Sequence, residues 1–430
     1  MIAVALGCMV YAINVAFPVS LSGGDTLWSM PLSYSVLHER NVYLDEFPAL
    51  TRVTKSNTAV APNGHRIFNF PWGPSIVSAP LVAVFAGWLY VHHDSLFAYL
   101  NRHFAPGDLE IRIASFYVAM STAVLFLLLM RRTKRIGLAL LVALAFAFGT
   151  SMTSTASRAL WSHTPAALFV MVALYFLQLF EDHPEWREPQ LTRRGATCAF
   201  ACGLALGLAY FSRPTGILPL GVLVVALFVR RALAGLAAAV GAAIPIGVLV
   251  VIYSAALGKP LQTYYDFGKG KPPGTFFVGL AGDLVSPARG LFVWSPFVLI
   301  ALWSTARAVR HPARDRVLSC CAVVVVLHWL SIATLRPWWA GWSVGPRLFT
   351  EALPFLMVLV ADSFLMLRSW RPSGEKRWAY AIVGACIMFS LFVNVRAATH
   401  FSVQRWNFVP QNIDHNPSRP WDWSDPQFLS

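Results

Sequence analysis

The stretch IRIASFYVAMSTAVLFLLLM (residues 111–130), RRTKR (131–135) and IGLALLVALAFAFGTSMTS (136–154) runs without a break. Each flank has about twenty residues, the length an α-helix rising about 1.5 Å per residue needs to cross a hydrocarbon core about 30 Å thick. The five residues between them include Arg131, Arg132, Lys134 and Arg135. Two apolar runs joined by a short basic turn read as a helical hairpin whose turn is held on the cytoplasmic side by the positive-inside bias.

The rest of the chain repeats this pattern. Further apolar runs lie near residues 2–21, 73–91, 164–180, 196–212, 216–229, 232–256, 290–306, 317–335, 350–367 and 377–396. Hydrophobic residues make up 57% of the 430 and charged residues 13%, whereas a soluble domain needs about 25% charged residues to cover its surface. The first run resembles a signal peptide but lacks a charged n-region, so it is read as a retained helix. The net charge of +14 does not point to nucleic acid. The basic residues sit in short clusters between apolar runs: Arg131 to Arg135, Arg193-Arg194, Arg230-Arg231, Arg307 to Arg316, and Arg368 to Arg377. The cysteines, Cys8, Cys198, Cys202, Cys320, Cys321 and Cys386, lie in apolar runs without metal-ligand spacing and read as small hydrophobes.

If all twelve runs cross, the basic clusters lie opposite the N-terminus. If 73–91, with Pro74 and Pro80, lies in the interface or dips in and returns, every cluster joins the N-terminus inside. The second reading is adopted: an all-α integral membrane protein, a polytopic bundle of about eleven transmembrane helices plus a re-entrant or interfacial segment. Segments 22–110, 155–163, 213–216, 257–289 and 336–349 and the tail 397–430 are then external. Within 22–110, Trp28 to Glu39 reads as an amphipathic stretch along the membrane surface.

These external segments hold the unusual polar residues. Ser22-Gly23-Gly24-Asp25 follows the first helix, and Asp45-Glu46 and His65-Arg66 come later in the same loop. The shorter segments carry Arg158 to His163, Arg213-Pro214-Thr215-Gly216, and Arg336-Pro337-Trp338-Trp339-Ala340-Gly341-Trp342-Ser343-Val344-Gly345-Pro346-Arg347. Arginine at an external helix end runs against the positive-inside bias, and a phosphate matches its planar fork. Interfacial anchoring and pairing with acidic neighbours compete with that reading. For Trp338, Trp339 and Trp342 an aromatic belt competes with a sugar platform. An acid at a helix exit suits general-base work on an acceptor hydroxyl, and two glycines before Asp25 let the chain turn sharply there; capping of the next helix is the alternative.

This order of elements resembles the GT-C superfamily of membrane glycosyltransferases, including its protein O-mannosyltransferase, family-39-like and aminoarabinose-transferase branches. Gly24-Asp25 stands where that family carries its catalytic acid. Phe70-Pro71-Trp72-Gly73-Pro74 and Gly207-Leu208-Ala209-Tyr210-Phe211-Ser212-Arg213-Pro214-Thr215 are also similar, as are the loop 338–347 and the tail 419–428. The resemblance implies one GT-C-like transmembrane domain over 1–430, in a bacterial inner membrane, with its active site facing the exterior. It implies a polyprenyl-phosphate sugar donor, a glycan, lipid or protein acceptor, membrane lipid around the bundle, and no nucleic acid. Asp25 would be the base, with Arg66, Arg158, Arg213 and Arg347 as phosphate contacts. Asp45, Glu46, His65 and His163 would assist as acids or acceptor contacts. No acidic pair stands at Asp25, so the use of a divalent metal stays open, and no soluble domain is expected after the tail. A transporter or lipid flippase is the rival, with Asp362 and His328 as ionisable residues inside apolar runs; a non-catalytic scaffold is a third reading.

Overall fold

Lipid offers no hydrogen-bond partner to a peptide group, so apolar runs of this length close their backbone bonds within helices. A computed structural model describes residues 1–53, 57–92, 95–102, 107–182, 191–262, 276–369 and 373–430. The first part of the chain forms α1 (Ile2–Ala16), α2 (Ser29–Tyr34), α3 (Pro48–Val53), a hairpin of β1 (Thr58–Val60) and β2 (Arg66–Phe68), α4 (Gly73–His92) and α5 (Leu96–Arg102). The bundle continues with α6 (Gly107–Thr133), α7 (Ile136–Phe148), α8 (His163–Asp182), α9 (Arg193–Ser212), α10 (Ile217–Arg230) and α11 (Ala232–Leu257). It ends with α12 (Phe276–Val285), α13 (Leu291–Trp294), α14 (Ala301–Arg310), α15 (Arg316–Ile332), α16 (Leu353–Ser369), α17 (Ser373–Thr399) and the short α18 (Ser402–Arg405). The two strands pair antiparallel, Ala59 opposite Ile67.

Among the described residues, five helices are long and apolar enough to cross a membrane, within α6, α8, α9, α11 and α17, and six shorter apolar helices accompany them. Their outer faces carry apolar side chains that water would not favour: Phe277 is 80% exposed, Val229 74% and Val251 67%. The chain is therefore an integral membrane protein.

The two ends of the bundle differ. At one end the basic clusters meet: Arg131 Nε lies 3.1 Å from Asp182, Arg132 Nη2 2.6 Å from Asp315, and Arg230 Nη2 3.6 Å from Glu181. α8 runs from this end at Asp182 to His163 at the other, and its 20 residues span about 30 Å. The two ionisable residues expected inside apolar runs are satisfied by packing. Asp362 lies 3.3 Å from Arg307 Nη1 and accepts from Ser304 Oγ at 2.9 Å, and His328 Nε2 donates to the Leu348 carbonyl at 2.8 Å.

Three segments take a form that the sequence alone did not convey. Residues 73–92 form one continuous helix with Pro80 inside it, not a dip and return. α4 meets α6 through Ser78–Tyr117 at 3.0 Å and Trp88–Arg112 at 4.5 Å, both in the first three turns of α6, so it stays at the His163 end. The Trp28–Glu39 stretch is helical at its start, and its Trp28, Met30 and Leu32 are buried in a cluster that includes Val82 of α4. Residues 155–163 form a largely buried irregular segment that leads into the His163 end. There Ser and Thr hydroxyls take up bonds that a helix would make, with Thr153 and Ser157 donating to Asn14 Oδ1 at 2.6 and 2.9 Å and Ser154 to Asn394 at 2.7 Å. The tail 397–430 packs back over the 336–347 loop. Residues 54–56, 93–94 and 103–106 of the first loop, 263–275 of segment 257–289, and 370–372 of the last basic cluster lie outside the described residues.

The α9–α11 pair shows why small residues occur where they do. A Cβ on Gly203 would sit 1.9 Å from the Ala238 carbonyl oxygen, and one on Gly241 2.2 Å from that of Phe200. Close backbone approach is the main source of helix association in lipid. Gly203→Leu is expected to lower thermal stability in detergent, an overpacking loss of about 1–3 kcal/mol. Gly221→Leu, where a Cβ meets nothing within 4 Å, is the control. Equal melting of both variants, followed by intrinsic fluorescence, would count against this packing.

Candidate active site at one end of the bundle

At the His163 end a cavity of about 860 Å³ is lined by Asp25, Arg213, Arg336 and Arg347, with Phe68, Phe70 and Trp161 among its apolar walls. That volume is ample for a sugar and a phosphate.

Asp25 reaches the cavity because the chain turns sharply after α1. Gly23 has φ 144° and Gly24 φ 49°, conformations that side chains resist. The following 3-10 turn is closed by Thr26, whose hydroxyl accepts from Gly23 N–H at 3.2 Å. Asp25 itself faces the cavity, with Oδ2 3.3 Å from Arg347 Nη1 and 39% of its side chain exposed.

The rest of the 14–26 segment is fixed by buried charges. Arg158 is fully buried and donates to the carbonyls of Phe17 (2.9 Å) and Asn14 at the end of α1. It is thus a cap on the unsatisfied carbonyls of a helix C-terminus. The expectation that Arg158 contacts phosphate does not fit this placement, since its donors are turned away from the cavity. Glu110, also fully buried, accepts from Ser22 Oγ at 2.7 Å and from Leu160 N–H at 3.0 Å. It ties the Asp25 turn to the segment that carries Trp161.

Arg213 follows α9 and is held on the opposite wall. Its Nε pairs with Glu351 and lies 3.1 Å from Thr215 Oγ1, while Nη1 reaches Ser162 Oγ at 3.1 Å. Thr215 in turn donates to Glu351 at 2.5 Å. Arg347 stacks over the Trp161 ring at 4.4 Å, and His163 lies behind that ring, 5.9 Å away and nearly parallel. The aromatic wall is therefore Trp161, not the expected tryptophans. Trp338 is buried against Trp421, Trp339 Nε1 donates to Asp414 (3.0 Å), and Trp342 Nε1 donates to Asn412 (3.1 Å). All three fasten the loop to the tail. The loop's own anchor is the buried Arg289, which donates to the carbonyls of Trp339 (2.8 Å) and Gly341 (3.1 Å), to Gln427 (2.5 Å) and to Asn407 (2.7 Å).

The remaining expected residues form a separate cluster beside the hairpin. His65 Nδ1 lies 2.7 Å from Asp45 and stacks on Tyr43, and Arg66 Nη1 donates to Thr58 Oγ1 at 3.1 Å. Glu46 accepts from Ser35; burial raises its carboxyl above the usual carboxylate value and the Ser35 bond partly offsets this. Neither this cluster nor His163 lines the cavity. Of the residues singled out in the sequence, Asp25, Arg213 and Arg347 line the cavity; Arg336, Trp161, Glu351, Glu110 and Arg289 were not singled out. Glu351 had a legible signal, an acid at the start of an apolar run beside a basic loop. The others look like ordinary helix-end residues.

Among the described residues no group of three His, Cys, Asp or Glu side chains is assembled. The cavity offers one carboxylate and three guanidiniums, with Glu351 as a second carboxylate behind one of them. This set suits an anion and does not fit a divalent cation.

Solved structures of two proteins share the fold. The apo structure of ArnT from Cupriavidus metallidurans matches with a TM-score of 0.56 and 17% identity, covering 100% of this chain and 74% of that one. AglB from Archaeoglobus fulgidus, an archaeal oligosaccharyltransferase solved with an inhibitory peptide and a dolichol-phosphate, matches with a TM-score of 0.57 and 11% identity, covering 99% of this chain and 60% of that one. A second ArnT structure, bound to undecaprenyl phosphate, matches at 0.50 and 16% identity. No family model matches the chain, and no curated protein does. The chain shares the fold of ArnT and AglB over nearly its whole length.

Arg289→Lys keeps the charge but cannot reproduce the fork of bonds. Hydrogen bonds to charged groups contribute about 1.5–3 kcal/mol each. The variant is expected to free the 336–347 loop and the tail for limited proteolysis while the apolar helices stay protected. A digestion pattern identical to wild type would remove Arg289 as the anchor.

Proposed function

We propose that the protein transfers a sugar from a polyprenyl-phosphate carrier to an acceptor hydroxyl, at the exterior face of a bacterial inner membrane. The observation that carries this reading is the cavity in which Asp25 faces Arg213, Arg336 and Arg347. The ArnT and AglB structures with undecaprenyl phosphate and dolichol-phosphate supply the class of carrier. The separation of this cavity from the paired basic clusters at the other end of the bundle supports its sidedness under the positive-inside bias.

In the proposed reaction the acceptor oxygen attacks the anomeric carbon as the bond from that carbon to the phosphate oxygen breaks. The phosphate leaves with the bonding electron pair, and Asp25 takes the hydroxyl proton. Arg347, Arg213 and Arg336 face the growing negative charge, and donors fixed before the reaction are worth most there. Attack from the side away from the phosphate inverts the anomeric centre. Arg347 can release Asp25 as it engages phosphate, since the two now share one ion pair. Trp161 offers an aromatic face beside the cations. Asp45, Glu46, His65 and Arg66 stand apart and suit contacts with a bulky acceptor at the rim.

Purified wild type and Asp25→Asn, given a panel of polyprenyl-phosphate sugars and a membrane extract as acceptor, test this. The variant is expected to lose roughly 10²–10⁴-fold in transfer, the usual range for a general base, while still binding carrier. Equal turnover in the two proteins would remove Asp25 as the base. Carrier binding that survives Arg213→Ala combined with Arg347→Ala would remove the cavity as the phosphate site.

A further inference from the structure

The end of the bundle away from the candidate active site holds a second cleft, of about 730 Å³, between the last turns of α14 and α16. Its two halves differ chemically. Trp303, Ala306, Leu365 and Met366 form an apolar wall, and Arg307, Arg310, His311 and Arg314 form a rim. The apolar half continues onto the outer face of α14, where Leu302 is 55% and Val309 71% exposed.

Part of the basic end is charge-matched: Arg131 pairs with Asp182, Arg132 with Asp315 and Arg230 with Glu181. Other basic residues there, such as Arg193 and Arg194, are exposed on a helix start and do not line the cleft with its apolar wall. In the cleft Asp362 lies against Arg307 and cancels one charge. Arg310, His311 and Arg314 are exposed and have no ion-pair partner among the described residues. Two permanent positive charges thus remain at the mouth of a cleft whose floor is apolar and whose flank faces lipid. A free phosphate would use the rim and leave the wall bare. A molecule with an anionic head and acyl chains uses both.

We propose that this cleft binds an anionic phospholipid, its phosphate between Arg310 and Arg314 and its first acyl segments along Trp303, Ala306, Leu365 and Met366. Basic recesses between helices at this depth attract anionic headgroups. The site is independent of the sugar-transfer reading, because it lies some 30 Å away along the helices and shares no residue with the other cavity.

The test uses the full-length protein in phosphatidylcholine nanodiscs, titrated with phosphatidylglycerol and followed by native mass spectrometry. Wild type is expected to retain phosphatidylglycerol, and Arg310→Gln/Arg314→Gln to lose at least roughly tenfold in retention. The control pair Arg193→Gln/Arg194→Gln, exposed at the start of α9 and outside the cleft, is expected to behave as wild type. Equal loss in both pairs would replace the site by diffuse attraction to the whole basic face, and no loss in either would remove it. Ala306→Trp, which fills the apolar wall without altering charge, is expected to weaken phosphatidylglycerol and leave inorganic phosphate unaffected. Displacement of the lipid by millimolar inorganic phosphate, with Ala306→Trp silent, would assign the rim to a soluble anion and overturn the lipid.

Discussion

Hydrocarbon excludes charge, and the arrangement of this protein follows from how its charges are divided between the two ends that remain. At one end the arginines of α6 and α10 are matched by Asp182, Asp315 and Glu181. At the other, three guanidiniums converge on a cavity whose lining carries one carboxylate. Guanidiniums gathered where the topology does not require them favour an anion at that end. The long apolar helices hold the two ends apart.

Convergence needs support, and the support is buried and polar. Arg158 closes the end of α1, Glu110 ties the Asp25 turn to the Trp161 segment, and Arg289 gathers the 336–347 loop and the tail. Each is a charged group placed where backbone carbonyls or N–H groups lack regular partners, so each satisfies the backbone while its own charge is hydrogen-bonded. This explains how a cavity built from turns and irregular segments keeps a defined shape. Its walls are joined through side chains that reach across 50 to 144 positions of sequence.

The apolar runs and basic clusters made the bundle legible, because hydropathy over twenty residues is a property of local sequence. Asp25 was legible too, from its place after the first helix and the two glycines before it. What local sequence could not convey was partnership. Arg158 and Arg213 read alike as external arginines, yet Arg158 faces carbonyls and Arg213 faces Glu351. For the tryptophans of the 338–342 loop an aromatic belt competed with a sugar platform, whereas the structure sets them against the tail and gives the cavity Trp161. The Trp28–Glu39 stretch showed an apolar stripe that fits either a membrane surface or another helix, and only the fold supplies α4 as its cover.

The two carboxylates at the cavity end show how environment divides roles. Glu351 is 5% exposed, locked to Arg213 and Thr215, and closed off behind them. A proton delivered there would break a buried pair and leave a guanidinium without its counter-charge, an arrangement that costs several kcal/mol. Asp25 is 39% exposed and meets Arg347 at 3.3 Å, at the surface of the cavity. In the proposed reaction the arriving phosphate takes over the arginine, so the same carboxylate would neutralise the empty site and serve as the base in the filled one. Glu351 keeps Arg213 in place through that exchange. A buried pair and a more exposed pair at one cavity would suit the proposed transfer: one guanidinium held in place, and one whose change of partner couples carrier binding to the release of the base.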